Sequence, residues 1–397
     1  MPLKISLDSA IYQVVLVLAF VTPLSTAAAS IAVGLGLLFI IVNCVRTKTF
    51  PQFDANILEV LAVYLVCQIL IAAASWEPLI SFREVIGEAH RFLPLIFAMT
   101  FIKNRAQLCG VLMASLLAML INDAAGIYQY FAIGEPRAFG FSHTPTFYGS
   151  FMLIQFPLMI FIARLDFLPS IWRGLAIFGA GLSLVCLVLS MTRGAWLAFV
   201  AVALILILLE KKYRRVAAKI CAGLAIVFVL VALTSPKIQD RLSTLVNANF
   251  QSNTERVLMW KSSLEIFKDY PIFGVGQKMF VEAYNGQYIS DEAKERPGII
   301  GRGHTQPHNN LLHRVSEGGV VGLAAFIGLY AYFFWKFYTQ FRREKNFPFS
   351  AGLTAFLILA GLQLEGLTDT NMSQVPIMRE FWLLAGTLIA AENILKR

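Results

Sequence analysis

The chain has 397 residues, 57% of them hydrophobic and only 14% charged, with a formal net charge of +9. Several runs approach twenty residues with almost no charge, long enough as helix to cross a hydrocarbon core of about 30 Å. That composition excludes a water-soluble globular domain, and the absence of ten-residue alternating segments argues against a membrane barrel.

In chain order, the apolar runs predict twelve spans, at roughly 10–26, 28–45, 56–75, 88–102, 107–133, 145–164, 172–190, 194–210, 216–234, 318–340, 350–368 and 377–394. The first leads directly into the second with no small-residue cleavage site, so it reads as a span and not as a signal peptide. The fold class expected is an all-α polytopic membrane protein. Residues 1–234 would carry the first nine spans, 235–317 one large external loop with amphipathic helices, and 318–397 the last three.

Lys and Arg set the orientation. With both termini inside, the inner loops and termini hold eighteen of the thirty-three basic residues. The short outer connections hold Arg83, Arg91, Arg137, Arg193 and Arg379, and the long outer segment, too large to follow the bias, holds the other ten. Topology alone accounts for the positive surplus, and no nucleic-acid partner is implied. Cys44, Cys67, Cys109, Cys186 and Cys221 all fall within predicted spans and read as small apolar residues.

Two asymmetries mark the outer side. His90, His143, His304, His308 and His313 all map there, and every base in the short outer connections is Arg, never Lys. A guanidinium grips phosphate oxygens bidentately and stays charged when partly desolvated. Arg193 sits in LSMTRGAWLAF with almost no loop around it. It is either a helix-capping Arg that snorkels or an anion receptor, and the second reading is favoured because an unpaired guanidinium near hydrocarbon costs roughly 3 kcal/mol.

The stretch 254–277 predicts an amphipathic helix with Thr254 as N-cap, an apolar stripe of Val257, Trp260, Leu264 and Phe267, and a stop at Pro271 and Gly274. Arg256 stands in its first turn. A helix lying on the bilayer explains most of this stretch but gives no reason for Arg256. Residues 285–303 are polar and glycine-containing, which suits a mobile loop. Pro307 fits the first position of a new helix, which would put His308 and Asn309 in its first turn. The positive end of the dipole there disfavours a second positive charge and leaves His308 ready to accept a proton. Glu317 follows His313 by four residues and can pair with it. A histidine at a helix start is ordinarily a satisfied cap; beside an arginine cluster it reads better as a base. A zinc site fails on spacing, since His308 and His313 are five apart and Pro307 breaks any helix from His304. Asp291, Glu292 and Glu295 share one polar loop and do not suggest a metal cluster.

Phosphate-gripping arginines beside a neutral base suit glycosyl transfer from a lipid-linked pyrophosphate sugar, with no cofactor and no metal. At these residues the chain resembles the O-antigen ligases, in the wider superfamily of O-antigen polymerases and bacterial O-oligosaccharyltransferases. Their signature is His, then Asn, Ser or Gln, nine residues, Gly, two residues, and Gly, Thr or Tyr; His308, Asn309, Gly319 and Gly322 match it in full. Thr192-Arg193-Gly194 resembles the family's Ser/Thr-Arg-Gly element. Glu255, Arg256, Trp260, Pro271, Gly274 and Gly276 resemble its Glu-Arg-x3-Trp helix and the Pro-x-x-Gly-x-Gly that follows.

The resemblance implies a GT-C-like enzyme of a Gram-negative inner membrane, with its site facing the periplasm. Its partners would be undecaprenyl pyrophosphate-linked O-antigen, lipid A-core oligosaccharide and membrane lipids. His308 becomes the catalytic base, and Arg193 and Arg256 the pyrophosphate ligands; Asn309, His313, Arg302 and Asp369 are further substrate-binding candidates. Competing readings are an O-antigen polymerase or protein O-oligosaccharyltransferase using the same donor, and a lipid-linked sugar transporter. The transporter is disfavoured by thin intramembrane polar content, with Asn122 and Asp123 the main exception.

Overall fold

The computed structural model describes residues 6–210, 236–246, 251–295, 306–344 and 349–395, with scattered residues between 214 and 233. Among them every regular element is a helix, with no strand. The first eight helices are α1 (Leu7–Val21), α2 (Thr26–Thr47), α3 (Ala55–Ala73), α4 (Pro78–Phe101), α5 (Arg105–Tyr128), α6 (Pro145–Ala163), α7 (Ser170–Leu189) and α8 (Arg193–Leu209). Then come α9 (Pro236–Val246), α10 (Gln251–Asp269), α11 (Asn310–Arg343), α12 (Ala351–Glu365) and α13 (Val375–Leu395).

Among the described residues six helices are long and apolar enough to cross a membrane: α2, α3, α5, α6, α7 and α11. Three shorter ones, α1, α8 and α12, are also apolar. Side chains such as Ile31, Val45 and Ile86 stand exposed, as a lipid-facing surface requires, whereas α6, α12 and α13 are buried nearly all round. The protein is therefore a polytopic membrane protein. The predicted ninth span, 216–234, lies where only scattered residues are described.

Helix starts follow the sequence. Ser25, Asp54, Asn104, Thr144 and Ser350 each cap the following helix through a side-chain oxygen, a device worth about 1 kcal/mol. Helix α4 begins at Pro78, ten residues before the predicted span. Its added turns reach the segment after α10, where Ser81 donates to the Gln277 carbonyl at 2.9 Å. Pairing α4 with α13 and α6 with α7 makes the core, with α12 packed on α6, α8 and α11.

The interior is more polar than the sequence suggests. Glu88, Arg91, Gln155, Arg314, Glu365, Arg379 and Glu380 are all buried. Pairing makes several of them tolerable: Arg314 Nη2 lies 3.0 Å from Glu88 Oε1, which also accepts through Oε2 from the Tyr64 hydroxyl at 3.1 Å. Cys186 is buried; Cys44, Cys67 and Cys109 are partly so, and all four are free thiols. Cys221 lies outside the described residues.

Two expectations for the segment 235–317 need correction. Helix α10 starts at Gln251, so Thr254 lies inside it and is not its N-cap. Its buried face is Leu258, Met259, Ser262, Ser263 and Ile266, whereas Val257 and Leu264 are 43% and 47% exposed. The tighter stripe wins because it packs on Val275, Met279, Phe280, Tyr284 and Ala293, a small core of its own. Of residues 285–303, expected as a mobile loop, 285–295 fall in helical turns at Tyr284–Tyr288 and Asp291–Lys294 over that core, and 296–303 lie outside the described residues.

Candidate active site

Helix α11 carries the histidine signature, and its geometry explains the first of the signature's glycines, Gly319. The helix is interrupted at Gly319, where φ is 58° and ψ −153°. A left-handed residue there breaks the helical ladder and frees carbonyls that must be paired elsewhere. The chain after α10 supplies the partners: Val275 N donates to Ser316 O at 3.1 Å and Gly276 N to Glu317 O at 2.9 Å. Beyond the break, Val320 N donates to Pro271 O at 2.8 Å and Val321 N to Ile272 O at 3.2 Å. A Cβ on Gly319 would lie 2.5 Å from the Ile272 backbone, and one on Gly274 2.4 Å from that of Glu317. The histidine signature and the Pro-x-x-Gly-x-Gly element are thus two halves of one joint.

The joint fixes the start of α11. Asn309, not Pro307, begins the helix: its Oδ1 accepts from Leu312 N at 3.0 Å, and the first helical residue is Asn310. His308 therefore stands just before the helix and not in its first turn, with φ at 51°. Trp260 Nε1 donates to the Pro307 carbonyl at 2.9 Å, so α10 holds the backbone immediately before the histidine. From the other side, Asp369 Oδ1 is 3.2 Å from His308 Nδ1 and also accepts from Thr370 N at 2.7 Å. Asp369 is 2% exposed and cannot swing away.

His308 opens onto a cavity of about 200 Å³ shared with Arg137, Arg241 and Arg256, Thr146, Thr192, Ser252 and the acid Glu255. Arg256 makes no hydrogen bond or ion pair with the described residues. Arg241 uses its Nε on the Met191 carbonyl at 3.0 Å. Arg137 donates to Ser190 O at 2.8 Å and to Thr192 Oγ1 at 3.2 Å. Partial burial, with the charges of Arg241, Arg193 and Arg256 close by, pushes the Arg137 guanidinium down to about 10. Burial and Arg256 also lower Arg241. Cations crowded this tightly in a half-buried cleft await an anion.

Arg193 lies behind this wall. Its Nη1 donates to Thr244 O at 2.7 Å and Thr244 Oγ1 at 2.9 Å, and its Nη2 to Ser252 Oγ at 2.9 Å and Asn253 Oδ1 at 2.8 Å. It ties the start of α8 to the end of α9 and the start of α10. Thr192 donates to Pro145 O at 2.9 Å while accepting from Arg137. A Cβ at Gly194 would sit 2.2 Å from Thr368 Oγ1, beside Asp369. The Thr-Arg-Gly element thus seats the arginine wall and the aspartate turn together.

The remaining candidates divide. Asn309 spends its amide on capping and on the Leu367 carbonyl, 2.9 Å away. His313 is buried between Ser373 Oγ at 3.1 Å and Glu317 Oε2 at 3.1 Å, the pairing its spacing predicts. Neither lines the cavity. Arg302 and His304 lie outside the described residues. Sequence reasoning passed over Arg137 and Arg241 as site residues; the run of Arg without Lys on the outer side pointed to Arg137, and nothing distinguished Arg241 from the other bases of its segment.

Residues 178–327 match a family model described as O-antigen ligase. No curated protein matches the chain in sequence.

Proposed function

We propose that this chain, whose residues 178–327 belong to the O-antigen ligase superfamily, is the ligase that joins O-antigen polysaccharide from undecaprenyl pyrophosphate to a sugar hydroxyl of lipid A-core. Members of that family are glycosyltransferase-like enzymes of the membrane. In this reading the chain crosses the inner membrane twelve times, with both termini cytoplasmic and the 235–317 segment in the periplasm. The observation that supports it is the single cavity joining an Asp-held histidine to three arginines.

Arg137, Arg241 and Arg256 bind the diphosphate and stabilise the charge that grows on it as the anomeric C–O bond breaks. Arg193 adds its charge from behind and fastens the wall. Asp369 accepts from Nδ1–H of His308, which leaves Nε2 as the acceptor. Nε2 takes the proton from the acceptor hydroxyl as its oxygen attacks the anomeric carbon. Direct displacement from the face opposite the leaving diphosphate inverts the configuration. The arginines supply the positive charge that a metal would otherwise bring.

The test is complementation of a strain lacking its own ligase with His308→Ala, Arg256→Ala and wild type, each checked for membrane insertion. Polymer-bearing lipopolysaccharide with wild type and none with His308→Ala supports the reading. Polymer extended on the carrier but never attached to lipid A-core would favour a polymerase.

A further inference from the structure

Asp369 sits in the turn between α12 and α13, and the start of α11 grips that turn on both sides of it. Before the aspartate, Asn310 N donates to Gly366 O at 2.7 Å and Asn309 Nδ2 to Leu367 O at 2.9 Å. After it, Asn310 Nδ2 donates to Asn371 Oδ1 at 2.9 Å, and Asn310 Oδ1 accepts from Met372 N at 3.3 Å. Asn371 is anchored in turn: its Nδ2 donates to Leu362 O at 2.8 Å and to Glu365 Oε2 at 3.0 Å. Ser150 on α6 donates to the same Glu365 oxygen at 2.6 Å. Asn310, Asn371, Glu365 and Ser150 are all buried, and none of them lines the arginine cavity.

A buried amide is tolerated when its donor and acceptor are both used, and it then fixes the geometry around it. The Asn310 side chain fastens residues 371 and 372 to the backbone beside His308. The contact it frames is narrow. Asp369 Oδ1 lies 3.2 Å from His308 Nδ1, and a side-chain hydrogen bond is lost by about 3.6 Å. A drift of the turn by roughly 0.5 Å therefore breaks it. Deleting the Asn310 amide leaves the bonds from Asn310 N, Asn309 and His313 in place, so the turn loosens while the helices stay joined. Gly366 reports on the same clamp from the opposite side. Its φ of −61° and ψ of −9° suit any residue, but a Cβ there would lie 2.0 Å from Asn310 Nδ2.

We infer that Asn310 is a positioning residue for the catalytic pair: through Asn371 and Met372 its amide holds the Asp369 carboxylate on His308 Nδ1, which keeps the proton on that nitrogen. The inference rests on the transfer reading above and adds to it a residue that touches neither substrate. Its influence on the chemistry runs through Asp369.

The experiment uses the full chain in phosphatidylcholine nanodiscs, with lipid-linked donor and lipid A-core as substrates. Asn310→Ala and Gly366→Ala should each lower kcat by about 10- to 100-fold and leave donor KM unchanged. Placed on Asp369→Asn, Asn310→Ala should slow transfer no further, because the carboxylate it serves is already gone. A double variant slower than Asp369→Asn by the full Asn310→Ala factor would overturn the inference and leave a structural role. Nuclear magnetic resonance of isotope-labelled histidine reads the same pair without turnover, with His308→Gln assigning the ring. The Nδ1–H signal of wild type should weaken in both variants as the other tautomer appears. An unchanged signal would overturn the inference too. If Asn310→Ala fails to insert, Gly366→Ala, which removes no polar group, carries both readouts. A signal that weakens as expected, in a chain whose wild type transfers nothing to lipid A-core, would retire the ligase reading and not the clamp.

Discussion

His308 and Asp369 stand 61 positions apart in sequence, yet Nδ1 of one lies 3.2 Å from Oδ1 of the other. The aspartate is buried, the histidine reaches an arginine-lined cavity, and the ring nitrogen remote from the carboxylate is left for chemistry. Asp369→Asn keeps the shape of the side chain but can offer the histidine its amide N–H, which favours the wrong tautomer. Transfer should fall by about 10²-fold or more, within the range of general-base effects. Donor KM should stay unchanged, as steady-state kinetics on purified protein will show; near wild-type kcat would remove Asp369 from the mechanism.

The arginines should separate by role. Arg256→Ala and Arg241→Ala each delete a cavity cation and should raise donor KM by about tenfold, in keeping with a charge-assisted hydrogen bond. Arg193→Lys keeps a positive charge but cannot reach Thr244, Ser252 and Asn253 together. It should lower the thermal midpoint as well as kcat, which size-exclusion melting of a fluorescent fusion will detect. If Arg193→Lys alters donor KM alone, with the midpoint unmoved, Arg193 is a direct ligand.

Gly319→Ala strains a left-handed backbone and drives a methyl into Ile272, with a cost of about 1–3 kcal/mol for the conformation before the clash is counted. The four backbone bonds between 271–276 and 316–321 should loosen and both melting temperature and activity should drop. Gly328, which has nothing within 4 Å of an added Cβ, is the control: Gly328→Ala should leave both unchanged.

Chelation offers an independent check on the chemistry. With arginines carrying the charge of the leaving diphosphate, excess EDTA should leave the rate within about twofold of untreated enzyme. Loss of activity, restored by a divalent cation, would show that the guanidinium groups do not suffice.

How far the sequence could be read depended on range. Apolar runs gave the helices because burial in lipid is a local requirement met within each segment. The pairing of His313 with Glu317 was legible from a spacing of four. The start of α11 was misread because Pro307 is a good first residue of a helix, but Asn309 caps better and His308 takes the left-handed turn. The stripe on α10 was misread because its partner, the core around Phe280, lies outside its own periodicity. Arg137, Arg241 and Asp369 come from three distant segments, and only the fold brings them to His308.

The central claim is that the His308 imidazole removes the acceptor proton while the arginines hold the diphosphate. Single-turnover transfer to lipid A-core by purified His308→Ala, with donor binding measured on the same sample, tests it most directly. The account predicts donor affinity within about twofold of wild type and a transfer rate lower by at least about 10². Transfer at the wild-type rate by a folded, donor-binding His308→Ala would contradict it.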